Sequence, residues 1–189
     1  MAYPNTYETV LSLIKDLPKD AVIADLGCGK GFTVQMLKKE GFTNITYCDI
    51  KDRYNGKVKL MDFNKGLAFK ANSFDVALGV EIIEHLENKY LFFREVKRIL
   101  KPNGIFIFTT PNIGNIFNRL LYFFRGRFIE FHNNYKDHIN PFFPWQIPEY
   151  FSVEKVTYNR GFIPIIRMPF LNGKLFGQCV IYKCRVKDI

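Results

Sequence analysis

Apolar residues recur along this chain with two alternating periods, and that alternation predicts most of the elements. Val10, Leu11, Leu13, Ile14 and Leu17 mark one face of a helix expected over 7–17, ending before Pro18. A strand near 21–26 follows, then a helix from about Phe32 to Glu40 and a strand over 45–49. Residues 57–61 read as a further strand. Residues 74–80 form a continuous apolar run, the pattern of a strand buried on both faces. Asn88 to Leu100 carries Leu91, Phe92, Val96, Ile99 and Leu100 at helical spacing. Pro102-Asn103-Gly104 is expected to stop that helix before a strand over 105–110. Strands alternating with helices in this order predict an α/β fold with a doubly wound, mostly parallel sheet and helices on both faces.

Beyond Pro111 the pattern changes. Residues 111–148 are aromatic-rich, with a helix expected around 116–124 and a short one near 145–151. The arginines at 119, 125 and 127 suit a lipid surface or a phosphate. The favoured reading is an amphipathic helix whose aromatics face the core. Two last strands, 153–159 and 178–185, flank a connection over 161–177 and bring the count to seven.

Composition narrows the setting. The 189 residues, 48% of them hydrophobic, suffice for one core, so 1–189 is read as a single domain. No apolar run approaches the ~20 residues of a membrane span. The opening Met-Ala-Tyr-Pro-Asn lacks the features of a secretion signal. Cys28, Cys48, Cys179 and Cys184 are scattered without C-x-x-C pairs, which predicts reduced thiols and a cytoplasmic location. A formal net charge of +9 favours anionic partners: phosphorylated metabolites, glycans, lipid headgroups or, less well, nucleic acid.

The chemistry starts at Asp25-Leu26-Gly27-Cys28-Gly29-Lys30-Gly31, where a strand runs through three alternating glycines into a helix. Glycine lets a ligand approach bare backbone N–H groups, and the helix behind offers its positive end. A dinucleotide fingerprint would need Gly or Ala at position 32, which is Phe32. Asp25, two residues before the first glycine, suits a cationic ligand better than a pyrophosphate. Asp49, ending the next strand, is placed to accept hydrogen bonds from ribose hydroxyls.

This segment closely resembles the first motif of the class I S-adenosylmethionine-dependent methyltransferases. Glu81-Ile82-Ile83-Glu84-His85-Leu86 resembles the E-x-x-E-H-L stretch of small-molecule members, those of ubiquinone biosynthesis among them. Residues 94–104 are similar to the family's helix and turn before the fifth strand. The resemblance covers most of 20–111. It implies a Rossmann-like seven-stranded sheet with an antiparallel C-terminal hairpin strand, and a substrate lid at about 112–148. It places S-adenosylmethionine against Asp25, Gly27, Cys28, Gly29, Gly31, Asp49, Ile50, Asp62, Phe63 and Glu81. Asp62 would meet the adenine amine and the Phe63 N–H a ring nitrogen. The stretch from Asp137 to Gln146 resembles, more loosely, the lid of a subgroup associated with cell-surface glycan synthesis.

Glu81, Glu84 and His85 stand at i, i+3 and i+4, so a helical turn there would put all three on one face. With His138 they form a candidate set for Mg2+ or Mn2+. The small-RNA 3′-terminal 2′-O-methyltransferases resemble this arrangement. Equally, Glu84 can cap a helix or pair with a lysine, and His85 can orient a substrate hydroxyl. The expected function is O-methylation, or less readily N-methylation, of a small or glycan-linked acceptor, with His85, Glu84 and His138 as candidate catalytic residues; a lipid-linked substrate is a further candidate partner. Two alternatives stand beside it: metal-dependent methylation of an RNA 3′ ribose, and a non-catalytic methyltransferase-like partner subunit.

Overall fold

The structure is a computed structural model and describes residues 5–159 and 173–187. Its elements run α1 (Thr6–Ser12), β1 (Ile23–Leu26), α2 (Phe32–Lys39), β2 (Ile45–Asp49), β3 (Lys59–Leu60), β4 (Phe74–Gly79), α3 (Lys89–Ile99), β5 (Leu100–Pro111), α4 (Ile116–Arg125), β6 (Phe151–Tyr158) and β7 (Cys179–Val186). The strands form one sheet in the order β3-β2-β1-β4-β5-β7-β6. β1 to β5 pair in parallel, and β7 lies antiparallel between β5 and β6. This is the expected seven-stranded sheet with its C-terminal hairpin.

Side-chain alternation between two covered faces explains why the central strands are largely apolar. On β5, Phe106 and Phe108 face one side while Ile105 and Ile107 face the other. The first side packs with Phe92, Phe93, Val96 and Ile99 of α3. The second packs with Val10 and Ile14 and with Leu37 of α2. Both faces are covered, as a parallel sheet requires. Phe106 and Phe108 stack at 5.0 Å between centroids, and Phe93 meets each of them edge-on.

Several boundaries differ from the sequence expectation. α1 ends at Ser12, and 13–17 continue as tighter turns in which the Ile14 N–H bonds the Leu11 carbonyl and the Leu17 N–H the Ile14 carbonyl. β3 is reduced to two residues because Lys57 and Val58 follow an Asp52-capped turn rather than the sheet. β5 begins at Leu100, directly after α3. The Pro102-Asn103-Gly104 turn is therefore a bulge within the strand, with Asn103 at φ 60°, and not the stop of the helix. The short helix expected near 145–151 is a 3-10 turn over Pro144–Gln146, and Phe151 already opens β6. The connection expected over 161–177 falls partly outside the described residues. All four cysteines are buried free thiols. No helix among the described residues is long and apolar enough to cross a membrane.

The largest correction concerns α4. Its one buried residue is Asn118, while Phe117, Leu120, Tyr122, Phe123 and Phe124 are exposed. The aromatics do not face the core. Asn118 fills that role by polar bonds: its side chain accepts from the Ile129 N–H at 2.7 Å and donates to the Asn112 carbonyl and to Glu130.

Candidate functional site

Parallel strands end on one edge, and the candidate residues gather there. The glycine turn leaves β1 and is pinned to β2: the Gly27 and Cys28 N–H groups both bond the Cys48 carbonyl, and the Gly29 N–H donates to Asp49 Oδ2 at 2.9 Å. Gly27, Gly29 and Gly31 all have positive φ. A Cβ on Gly27 would stand 2.8 Å from Ile82, and one on Gly31 only 2.4 Å from the Tyr54 ring. A Cβ on Gly29 would meet nothing within 4 Å. The turn is thus closed against the protein at its two ends and open at its middle, with Asp49 beside the opening.

Asp25 lies 1% exposed at the end of β1, and its Oδ2 has no hydrogen-bond partner among the described residues. Burial, helped by the nearby Asp49 carboxylate, raises its pKa to about 7. A cationic ligand would supply the missing partner. Burial and the Asp25 carboxylate push the Cys28 thiol up to about 12, so Cys28 is lining rather than nucleophile. Ile50 is 60% exposed past the end of β2. Asp62 caps the 3-10 turn Phe63–Lys65 by accepting from the Asn64 N–H, and lies 3.3 Å from Lys65 Nζ. Phe63 is buried against Phe92. These residues border the same edge, since the Met61 N–H bonds the Asp49 carbonyl.

After β4 the chain does form a turn, a 3-10 turn over Ile83–His85, but Glu81 stands outside it with φ 52°. Its N–H donates to Thr109 Oγ1, and its Oε1 accepts from the Thr109 hydroxyl at 2.8 Å and from the Cys179 thiol at 3.0 Å. Glu81 is therefore drawn to β5 and β7 and does not join the metal set. Glu84 does. It is fully buried with neither carboxylate oxygen bonded among the described residues, and its ligand atoms lie within 4.8 Å of those of His85 and His138. Burial first, then the Glu81 charge, raises the Glu84 pKa well above the ordinary carboxylate value.

The backbone brings His138 here. The Ile139 and Asn140 N–H groups both bond the Glu84 carbonyl, and the Asn140 side chain donates to the Leu86 carbonyl. The segment around His138 is thereby strapped to the turn after β4. The His85 and His138 rings meet edge-on at 4.7 Å. His85 Nδ1 lies 2.9 Å from the Asp137 carbonyl, an acceptor only, so Nδ1 carries the proton and Nε2 presents a lone pair. His138 Nδ1 is buried and unpartnered among the described residues. Burial, then the neighbouring His85, lowers its pKa.

Four residues of this region carried no sequence signal: Thr109, Cys179, Asn118 and Glu130. The first two are core strand positions by pattern. Glu130, 2% exposed, looks like an ordinary loop acid until Asn118 is seen to donate to it.

Residues 24–108 match a family described as a methyltransferase domain. Over 116 residues the chain is 32% identical to a ubiquinone biosynthesis O-methyltransferase of Rickettsia canadensis, covering 56% of this chain and 48% of that protein. Over 102 residues it is 29% identical to the 2-methyl-6-phytyl-1,4-hydroquinone methyltransferase of Synechocystis sp., covering 48% of this chain and 32% of that protein. The chain thus matches half or less of these relatives' length. A crystallised S-adenosylmethionine-dependent methyltransferase of Archaeoglobus fulgidus shares the fold with a TM-score of 0.70 over 95% of this chain and 92% of its own, at 17% identity. Over residues 24–108 the chain is thus similar to a methyltransferase domain, and its sheet has the fold of a solved S-adenosylmethionine-dependent methyltransferase.

Proposed function

We propose that the chain transfers the methyl group of S-adenosylmethionine to a hydroxyl of a small or glycan-linked acceptor. The observation that supports this best is the pairing, on one strand edge, of an open glycine turn with a cluster of buried Glu84 and half-buried His85 and His138. When bound, the cofactor supplies a methyl group already activated by its sulfonium. The chain's own task is then to orient the acceptor, exclude water and take up one proton. Asp49, beside the open middle of the turn, would hold the ribose hydroxyls, and the unpartnered Asp25 Oδ2 would meet the ligand's positive charge. His85 Nε2 accepts the proton that leaves the acceptor hydroxyl, while the Asp137 carbonyl holds Nδ1–H and fixes the tautomer.

The cluster also fits a divalent cation, because the Glu84 carboxylate and His138 Nδ1 are buried donors lacking partners among the described residues. One carboxylate with two imidazoles suits Mn2+ better than Mg2+, which takes mostly oxygen ligands. With a cation bound there, His85 Nε2 would serve as its ligand instead of as the base, and the cation would lower the proton affinity of the acceptor hydroxyl. Resemblance to the small-RNA enzymes implied four ligands. Glu81 is engaged elsewhere, which favours the small-molecule reading over the RNA one.

Titration calorimetry with S-adenosylmethionine tests the cofactor site. Wild type should bind, and Asp49→Ala should weaken binding by roughly 30-fold or more, about 2 kcal/mol for lost charge-assisted hydrogen bonds. Absence of wild-type binding would end the enzyme reading. Metal analysis tests the cluster: wild type should retain Mn2+ and Glu84→Gln should lose it. Unchanged metal content and unchanged methyl transfer in Glu84→Gln would remove the cation from the proposal.

A further inference from the structure

Helix α4 is built inside out. Phe117, Leu120, Phe123 and Phe124 fall at i, i+3, i+6 and i+7, one arc of the helix, and Asn118 lies on the other side. Burial follows the reverse of the usual rule: Asn118 is 0% exposed, while Phe123 is 81% and Phe124 73% exposed. The buried side is held by a polar net, in which Asn118 bonds the Asn112 carbonyl, the Ile129 N–H and Glu130. Asn115 caps the helix by accepting from the Asn118 N–H, and Gly126 closes it in the left-handed conformation. The helix therefore stays folded without burying its aromatics. Exposed Arg119, Arg125 and Arg127 lie on and just after it, in a chain of net charge +9.

We propose that α4 is an interfacial helix that seats this protein on an anionic lipid bilayer. An apolar arc with basic residues beside it matches the boundary between acyl chains and acidic headgroups. The clustered positive charge argues against a second copy of the chain, whose own arginines would meet these across the contact. From the helix's other side, that of Asn118, a series of rings leads to the candidate site. Tyr122 stacks on Phe128 at 4.9 Å, Phe128 meets Phe131 at 6.4 Å, and Phe131 meets His138 at 5.6 Å. This inference stands apart from methyl transfer, since docking needs neither cofactor nor acceptor.

Co-sedimentation of the full chain with vesicles of phosphatidylcholine plus phosphatidylserine, against phosphatidylcholine alone, tests it. The protein should pellet with the mixed vesicles and much less with the neutral ones. Arg125→Gln/Arg127→Gln should lower partitioning by roughly 25-fold, about fivefold per arginine. Phe123→Ser/Phe124→Ser should lower it by about tenfold or more. Thermal unfolding shows whether these exposed substitutions leave the fold intact. A Phe123→Trp reporter in a Trp145→Phe background should keep binding, with its emission moving to the blue on mixed vesicles. Failure to pellet with either vesicle would overturn the proposal. So would undiminished binding by both double variants, or an unshifted reporter. A dimer abolished by Phe123→Ser/Phe124→Ser without vesicle binding would overturn it in favour of self-association.

Discussion

Replacing Asp25 by asparagine isolates the cost of holding a carboxylate inside the glycine turn. Asp25 is 1% exposed with an unpartnered oxygen, and its pKa rises from the ordinary 3.8 to about 7, through burial first and Asp49 second. A folded pKa above the unfolded one means that the native state binds the proton more tightly. The stability this contributes is complete below pH 3.8 and is lost as pH rises through about 7. A rise from 3.8 to about 7 corresponds to roughly 4 kcal/mol at most. Ligand-free Asp25→Asn should match wild type near pH 4 and exceed it by up to about 4 kcal/mol at pH 8, read from urea denaturation at both pH values. The same variant should bind S-adenosylmethionine worse, because the neutral amide offers no charge to a cation. In wild type the affinity should climb by up to about tenfold per pH unit below 7, with proton release measurable in buffers of different ionisation enthalpy. A stability difference independent of pH, or equal affinity for the cofactor, would refute the reasoning.

Two further substitutions probe the glycine turn and α4. Gly31→Ala should cost about 1–2 kcal/mol in chemical denaturation, from φ 77° and a Cβ placed 2.4 Å from Tyr54. Adding Tyr54→Ala should recover the steric part and leave the φ part, so full recovery or none contradicts the assignment. Asn118→Ala should cost about 2–4 kcal/mol, because it strips the half-buried Ile129 N–H of its acceptor and removes two donated bonds. Limited proteolysis should then cut earlier after Arg125 or Arg127, and an unchanged digestion pattern would count against Asn118 as the anchor of α4.

The sheet was legible because both of its faces are apolar and covered, so nearly every strand announced itself as a short run ending in a turn. Boundaries slipped where local hydrogen bonding outweighed hydrophobicity. The Asp52 turn shortened β3, and the bulge at 101–104 let β5 start before Pro102. Spacing also misled at Glu81. An i, i+3, i+4 pattern implies a shared face only within a continuous helical turn, and φ 52° at Glu81 breaks that continuity. The reading of α4 failed for a different reason. Periodicity identifies an apolar arc but not its direction, and Asn118 had enough polar partners to take the inside.

Taken alone, the sequence determined the doubly wound sheet, the glycine turn with Asp25 and Asp49, and the candidacy of Glu84, His85 and His138. Each is a local property: a run, a turn requirement, or a residue just past a strand end. Only the tertiary structure decided that Glu81 leaves the cluster for Thr109 and Cys179, and that His138 reaches Glu84 across 54 residues of chain by way of two backbone bonds. It alone turned the aromatics of α4 outward. Those outcomes depend on which distant donors and acceptors meet, and burial makes every unmet partner costly enough to choose between arrangements that spacing treats as equal.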